Sequence, residues 1–227
     1  MNVYFLVEGK TERKVYPKWL AHLTPKIKKV NNPTEVIDNQ YYLISGGGYP
    51  GILDNHLLDS VADVNENGQF DYLVLILDTD DQTPDEKIAE VEQFIQEKSI
   101  KLVACKLVII PQVICMETWF LGNGKIYSRV PPSAECAAYA NHYDVANSDP
   151  ELMGKSAAFN GTNADFHYEY LKTMLRAKNI RYSKSNPQSV HETYYIDELK
   201  NRVATDSTSL NSLSNLFKFF NQISLDV

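Results

Sequence analysis

The sequence predicts an α/β fold: a largely parallel sheet flanked by helices, with a helical appendage at the C-terminus. Three observations predict it. Apolar runs of strand length at 2–7, 40–45, 72–77 and 102–110 alternate with helix-periodic stretches, the mark of βαβ units. The run Tyr72 to Leu77 is apolar without interruption, as in a strand covered on both faces. After Gln112 the strand-like runs stop, and three helical stretches follow near 165–178, 190–203 and 210–222.

In order along the chain, Asn2 to Val7 has strand length and strand residues. Thr11 is placed to cap a helix in which Val15, Trp19, Leu20 and Leu23 recur at helical spacing, and Pro17 should kink that helix or mark its real start. A strand at 40–45 is ended by Gly46-Gly47-Gly48, and a helix from Pro50 to about Val64 carries Ile52, Leu53, His56, Leu57 and Val61 on one face. Asn65 to Gln69 reads as a polar turn. Pro84 opens a helix in the first-turn position, with Ile88, Val91, Phe94 and Ile95 inward. Leu102 to Ile110 supplies another strand, with Lys106 suggesting an edge or a break. Residues 122–165, rich in Gly, Pro, Ser, Asn and Ala, read as loops with short helices. The expected organisation is a core at 1–121 and a loop-rich, helical extension at 122–227, packed on the core without a clear linker.

A chain of 227 residues, 44% apolar, can bury a full core, and no window reaches the roughly 18 apolar residues of a membrane span. No charged n-region or cleavage site of a signal peptide is present, and Cys105, Cys115 and Cys136 are too few and too scattered for a disulfide frame or zinc site. A soluble cytoplasmic protein is expected. The net charge of −7 is uneven: residues 10–29 carry seven Lys/Arg against Glu12, whereas 54–97 carry thirteen Asp/Glu against Lys87 alone. Ordinary solvated helix faces account for such a pattern, but it also permits a basic face beside an acidic pocket, so nucleic acid is not excluded.

In an open parallel sheet, ligands bind beyond the carboxyl ends of the strands. Three acidic sites fall there: Glu8 before Gly9, then Asp78 and Asp80 with Asp81 nearby, then Glu117. On extended backbone Asp78 and Asp80 point to one side. Converging carboxylates repel unless a cation sits among them, and hard oxygen ligands suit Mg²⁺ or Mn²⁺. Such a cation can activate water and neutralise charge on a phosphodiester. Each piece has an ordinary reading too: Asp-x-Asp as a loop or cap for the Pro84 helix, Glu-Gly as a turn, Glu117 as a first-turn acid favouring the helix dipole. The triple glycine lacks the Lys-Ser/Thr of a P-loop, and His22, His56, His142 and His167 show no ligand spacing.

Phe5-Leu6-Val7-Glu8-Gly9-Lys10-Thr11-Glu12 followed by Leu75-Ile76-Leu77-Asp78-Thr79-Asp80 resembles the topoisomerase–primase (Toprim) domain, a Rossmann-like fold with a Glu after the first strand and Asp-x-Asp after the third. The Thr-Glu after the glycine, and Cys115-Met116-Glu117-Thr118-Trp119-Phe120-Leu121, are similar to the nuclease branch found in OLD-family enzymes and small stand-alone proteins of bacterial defence islands. The resemblance covers roughly residues 1–121. It implies Glu8 as metal ligand or general base, Glu12 in support, Asp78 and Asp80 as Mg²⁺ or Mn²⁺ ligands, and Glu117 completing the site. It further implies a later basic residue that steadies developing charge. Lys155, Arg181 and Lys184 are candidates, with Lys184 preferred. The function so implied is a metal-dependent nuclease cleaving DNA or RNA, in phage defence or mobile-element control. Two alternatives stand beside it: a non-catalytic Toprim-like partner of nucleic acid or of an ATPase, and, more remotely, a glycosyltransferase using Asp78-Thr79-Asp80 for Mn²⁺ and a diphosphate.

Overall fold

The computed structural model describes residues 1–226 and contains a five-stranded, all-parallel sheet flanked by helices. The strands are β1 (Asn2–Val7), β2 (Lys28–Lys29), β3 (Gln40–Ser45), β4 (Tyr72–Asp78) and β5 (Lys106–Gln112). Their order across the sheet is β2-β3-β1-β4-β5. Val3 to Val7 lies opposite Tyr41 to Ser45 on one side and opposite Tyr72 to Ile76 on the other. The chain therefore travels outward from β1 to β2 and β3, then crosses back over β1 to lay down β4.

Two compact units are formed, one from residues 1–77, 83–111 and 216 onward, the other from 78–82 and 112–215. In the first unit, α1 (Lys10–Leu23), α2 (Leu58–Asn67) and α3 (Pro84–Glu97) cover the sheet. Because successive strand side chains point to opposite faces, the inner strands feed two apolar layers. Tyr4, Leu6, Leu73, Leu75 and Leu77 join Ile52, Leu53, Leu57, Val61, Val64 and Val91 in one layer. Phe5 on the other face meets Phe219 and Phe220 of the last helix, α8 (Asn211–Leu225), and Trp19 of α1 meets Phe217.

β1 and β3 fall on their expected residues, and β4 runs one residue further, to Asp78. Elsewhere the structure differs. Helix α1 begins at Lys10, capped by Gly9 without a side-chain hydrogen bond, so Thr11 is a buried first-turn residue and not the cap. The helix continues through Pro17, which neither starts nor ends it. The segment before α2 opens as a π-helix, Ile52–Leu57, and α2 itself runs on to Asn67 before Gly68 closes it in the left-handed conformation. β5 starts at Lys106, four residues later than the apolar run, and lies at the sheet edge.

Helix α3 has the start its sequence predicts. Thr83 Oγ1 accepts from the Glu86 backbone N–H at 3.3 Å, and Glu86 accepts from the Thr83 N–H at 2.8 Å, with Pro84 in the first turn. The Thr83 N–H and hydroxyl, both donating to its carboxyl, hold Glu86 below its usual range. Thr83→Ala is expected to lower stability by about 1 kcal/mol, and a denaturant titration showing no change would refute the reciprocal cap.

The second unit contains α4 (Met116–Leu121), α5 (Ala134–His142), α6 (Asn163–Ala177) and α7 (Thr193–Thr205), together with the first residues of α8. Its core is knitted by polar contacts as well as apolar ones. Trp119 Nε1 donates to Ser212 Oγ at 2.6 Å, and the Ser212 N–H donates to Glu151 at 3.1 Å. Arg202 spans a loop, donating from its guanidinium to the carbonyls of Gly122, Val145 and Ser148 and from Nε to Ser209 Oγ.

Candidate functional site

The strand order sets where a ligand can sit. The connection after β1 leads to β2 and β3 on one side of the sheet, whereas the connection after β4 leads to β5 on the other, and such a topological switch opens a crevice at the carboxyl ends of the strands. Glu8 is the residue after β1, and Asp78 is the last residue of β4, two past Ile76, which pairs with Val7.

In the first unit, the Glu8 carbonyl accepts from the Gly48 N–H at 3.0 Å and from Ser45 Oγ at 3.2 Å, which ties the end of β1 to the triple-glycine loop after β3. Gly9 has φ −122°, extended backbone open to any residue, so backbone conformation is not why glycine stands there. A Cβ at that position would lie 2.7 Å from Oε2 of Glu12, whose buried side chain folds back over it. Glu12 is thus a neighbour of the Glu8 segment.

One residue in this unit escaped the sequence reading. Lys87, on α3, is only 3% exposed. Its ammonium pairs with Glu90 at 3.1 Å and lies 4.2 Å from the centre of the Tyr49 ring, while the Tyr49 hydroxyl donates to Glu90. Burial, then the carboxylates of Glu90, Asp54 and Glu8, push the Tyr49 phenol up to about 12. The signal was in the charge pattern: a lone lysine among thirteen acids is placed to offset them.

In the second unit, Asp78 Oδ1 accepts from the side-chain amide of buried Gln112 at 2.7 Å. The strand geometry stops there. Asp80 has φ +52°, so Asp78 and Asp80 do not share one extended stretch, and the expectation that both point to one side is corrected. The reason is a lock between two strand exits. Thr79 N–H donates to Gln112 O at 2.9 Å, Asp80 N–H to Ile114 O at 3.1 Å, and Ile114 N–H to Thr79 Oγ1 at 2.9 Å. Ile114 itself has φ +62°, a costly conformation for a β-branched residue. Such strain persists where surrounding contacts over-determine it, and it concentrates at functional sites. Asp81 accepts from Asn163 Nδ2 at 2.7 Å, which fastens the loop to the start of α6.

Glu117, in the first turn of α4, is 2% exposed, and its carboxylate is held on both sides. The Tyr182 hydroxyl donates to Oε1 at 2.7 Å, and the Lys184 ammonium lies 3.7 Å from Oε2. Lys184 is delivered by a tight turn in which Ser183 bridges to Asn186. Burial, with Glu117 next, drives the Tyr182 phenol far up, and burial followed by Glu117 and Asp78 does the same to the Cys115 thiol, with Lys184 opposing. Glu117, Asp78 and Lys184 thus all act on one buried sulfur. Of the other basic candidates, Lys155 donates to the Gly161 carbonyl, and Arg181 lines a separate cleft.

Carboxylate oxygens are the right donors for a hard cation. Among the described residues, however, no three His, Cys, Asp or Glu side chains are gathered to hold a metal ion. Asp78 and Glu117 have protein partners instead, so the donor set fits in kind but not as a preformed cage. Among the same residues, no helix is long and apolar enough to cross a membrane. Comparison with protein-family models, with curated proteins and with solved structures gave no match. Fold and site geometry alone therefore bear on function.

Proposed function

We propose that this chain is a Toprim-like nuclease that hydrolyses phosphodiester bonds in nucleic acid with a divalent cation, Mg²⁺ or Mn²⁺. One observation carries the reading: of the two neighbouring parallel strands that flank the switch point, β1 is followed directly by the carboxylate of Glu8 and β4 ends in that of Asp78. The lack of a three-residue protein cage is compatible with it. Mg²⁺ dehydrates reluctantly and is commonly held by one or two carboxylates together with substrate phosphates. Such a cation would neutralise charge on the phosphodiester and lower the pKa of a bound water. Lys184 beside Glu117 supplies fixed positive charge, with Glu12 in the first turn of α1 and Asp81 in the loop after β4 as supporting residues.

The test is a cleavage assay on single-stranded DNA, duplex DNA and RNA with Mg²⁺ or Mn²⁺ and with EDTA. Wild-type protein is expected to cut only with metal, and Glu8→Gln and Asp78→Asn to lose at least about a hundredfold, the scale of a general base or a charge-stabilising group. Cleavage that survives either substitution would end the proposal. A second reading, a non-catalytic partner of nucleic acid or of an ATPase, draws on the missing cage. It predicts no cleavage under any condition and no calorimetric response to Mn²⁺.

A further inference from the structure

A cleft of about 360 Å³ opens in the second unit between the end of α6 and the turn that carries Lys184. That volume lies in the range of small-ligand pockets. Its lining includes Lys172, Arg176, Ile180, Arg181, Tyr182 and Ser183. The acidic regions of the chain contribute no lining residue.

The three cations are not equally committed. Lys172 is paired with Glu169 at 3.0 Å, and Arg176 with Glu135 through one terminal nitrogen, Nη2. The exposed guanidinium of Arg181 has neither a hydrogen-bond nor an ion-pair partner among the described residues. Five N–H donors on a planar fork match a phosphate. The end of α6 would oppose an anion through its dipole, but its carbonyls are already engaged: Leu175 accepts from Lys178 and Ile180, and Arg176 from Asn179. Ile180 and Tyr182 add apolar surface to this charged lining. Cations beside apolar surface suit an unpaired strand, whose backbone meets the charge while its sugars and bases pack on the apolar part. A duplex presents only its outer phosphates and leaves the apolar part unused. Tyr182 forms the link to the rest of the site, since the residue lines the cleft while its hydroxyl holds Glu117.

We propose that this cleft binds one phosphate of a single-stranded nucleic acid through Arg181, with Arg176 and Lys172 in support. The inference names the substrate class for the nuclease reading and rests on it only in that respect. The experiment is fluorescence anisotropy with the full chain and a labelled single strand of about 12 nucleotides, within the span such grooves cover, in EDTA so that no cleavage occurs. Wild-type protein is expected to bind the strand more tightly than the matching duplex. Arg181→Glu should weaken binding at least about tenfold and flatten its dependence on salt, as expected when a phosphate contact is lost. Lys200→Glu, on α7 and outside the cleft, controls for net charge and should stay within about twofold of wild type. Arg181→Ala, a gentler change, should show the same direction with an unchanged melting temperature.

Equal binding by Arg181→Glu and wild type overturns the proposal, as does tighter binding of duplex or no binding of the single strand. Full competition by millimolar inorganic phosphate would make the site one for free phosphate and also overturn it. The two readings fail separately. Arg181-dependent binding without metal-dependent cleavage keeps the cleft and removes the nuclease, whereas cleavage indifferent to Arg181 does the reverse.

Discussion

Acidifying the protein from pH 7 to pH 4 is expected to remove roughly 3 kcal/mol of stability through one buried side chain, His167, at about 1.4 kcal/mol for each unit of pKa difference. The imidazole is fully buried. Nε2 lies 2.7 Å from the Met153 carbonyl, which can only accept, so Nε2 carries the proton. Nδ1, 2.8 Å from Thr118 Oγ1, then accepts from the hydroxyl. Burial, reinforced by the nearby charge of His142 and partly offset by the Met153 bond, pushes the folded-state value down from 6.5 to about 4. Between those values the unfolded chain binds a proton that the folded chain refuses, so stability rises with pH across that window and is flat below it. Glu151 works against this trend. Its carboxyl is raised by burial, so its contribution is greatest in acid and fades as pH rises through its folded-state value. Asp165, held low by bonds to Thr162, adds its loss only below the ordinary carboxylate range. His167→Gln retains one donor and one acceptor but cannot titrate. Denaturant midpoints across the same pH range should flatten in that variant, and an unchanged slope would assign the acid sensitivity elsewhere.

Arg202→Met is expected to cost about 3 kcal/mol at neutral pH, because hydrogen bonds from a charged donor are worth more than neutral ones and the abandoned carbonyls lose a partner. Arg202 is partly buried, which lowers its own pKa, and three segments converge on it at Gly122, Val145 and Ser148. Methionine keeps most of the packing volume and removes only the donors. The drop should therefore appear in denaturant titration with no gross change in far-ultraviolet circular dichroism. A change below about 0.5 kcal/mol, the size of an ordinary surface substitution, would show that water replaces the guanidinium without penalty.

These two side chains illustrate what the sequence could not announce. His167 and Arg202 matter through partners 7 to 80 positions away, most of them far outside any local pattern. Periodicity did locate β1 and β4 closely, because strands buried on both faces leave apolar runs, and β3 too, where buried Tyr41 and Leu43 alternate with half-buried neighbours. It misplaced the start of β5, since residues 102–105 are apolar or neutral yet lie outside the ladder. The π-helix at 52–57 was hidden because its apolar residues fit an α-helical face nearly as well. At the candidate site, Glu8, Asp78 and Glu117 were legible as acids following apolar runs. The left-handed turn at Asp80 was not, because it is imposed by a loop more than thirty residues later. Lys184 was the preferred of three basic candidates, and its place beside Glu117 came only from the structure.

An open sheet always leaves two rows of backbone donors and acceptors unpaired, and these are templates for other chains to add strands. Here one border is β2, two exposed lysines long, too short and too charged to seat a foreign strand. The other is β5, which begins with exposed Lys106 and carries Pro111, a residue with no N–H to offer. Both borders thus resist lengthening, and the sheet is protected from edge-to-edge aggregation by residues that take no part in the proposed chemistry.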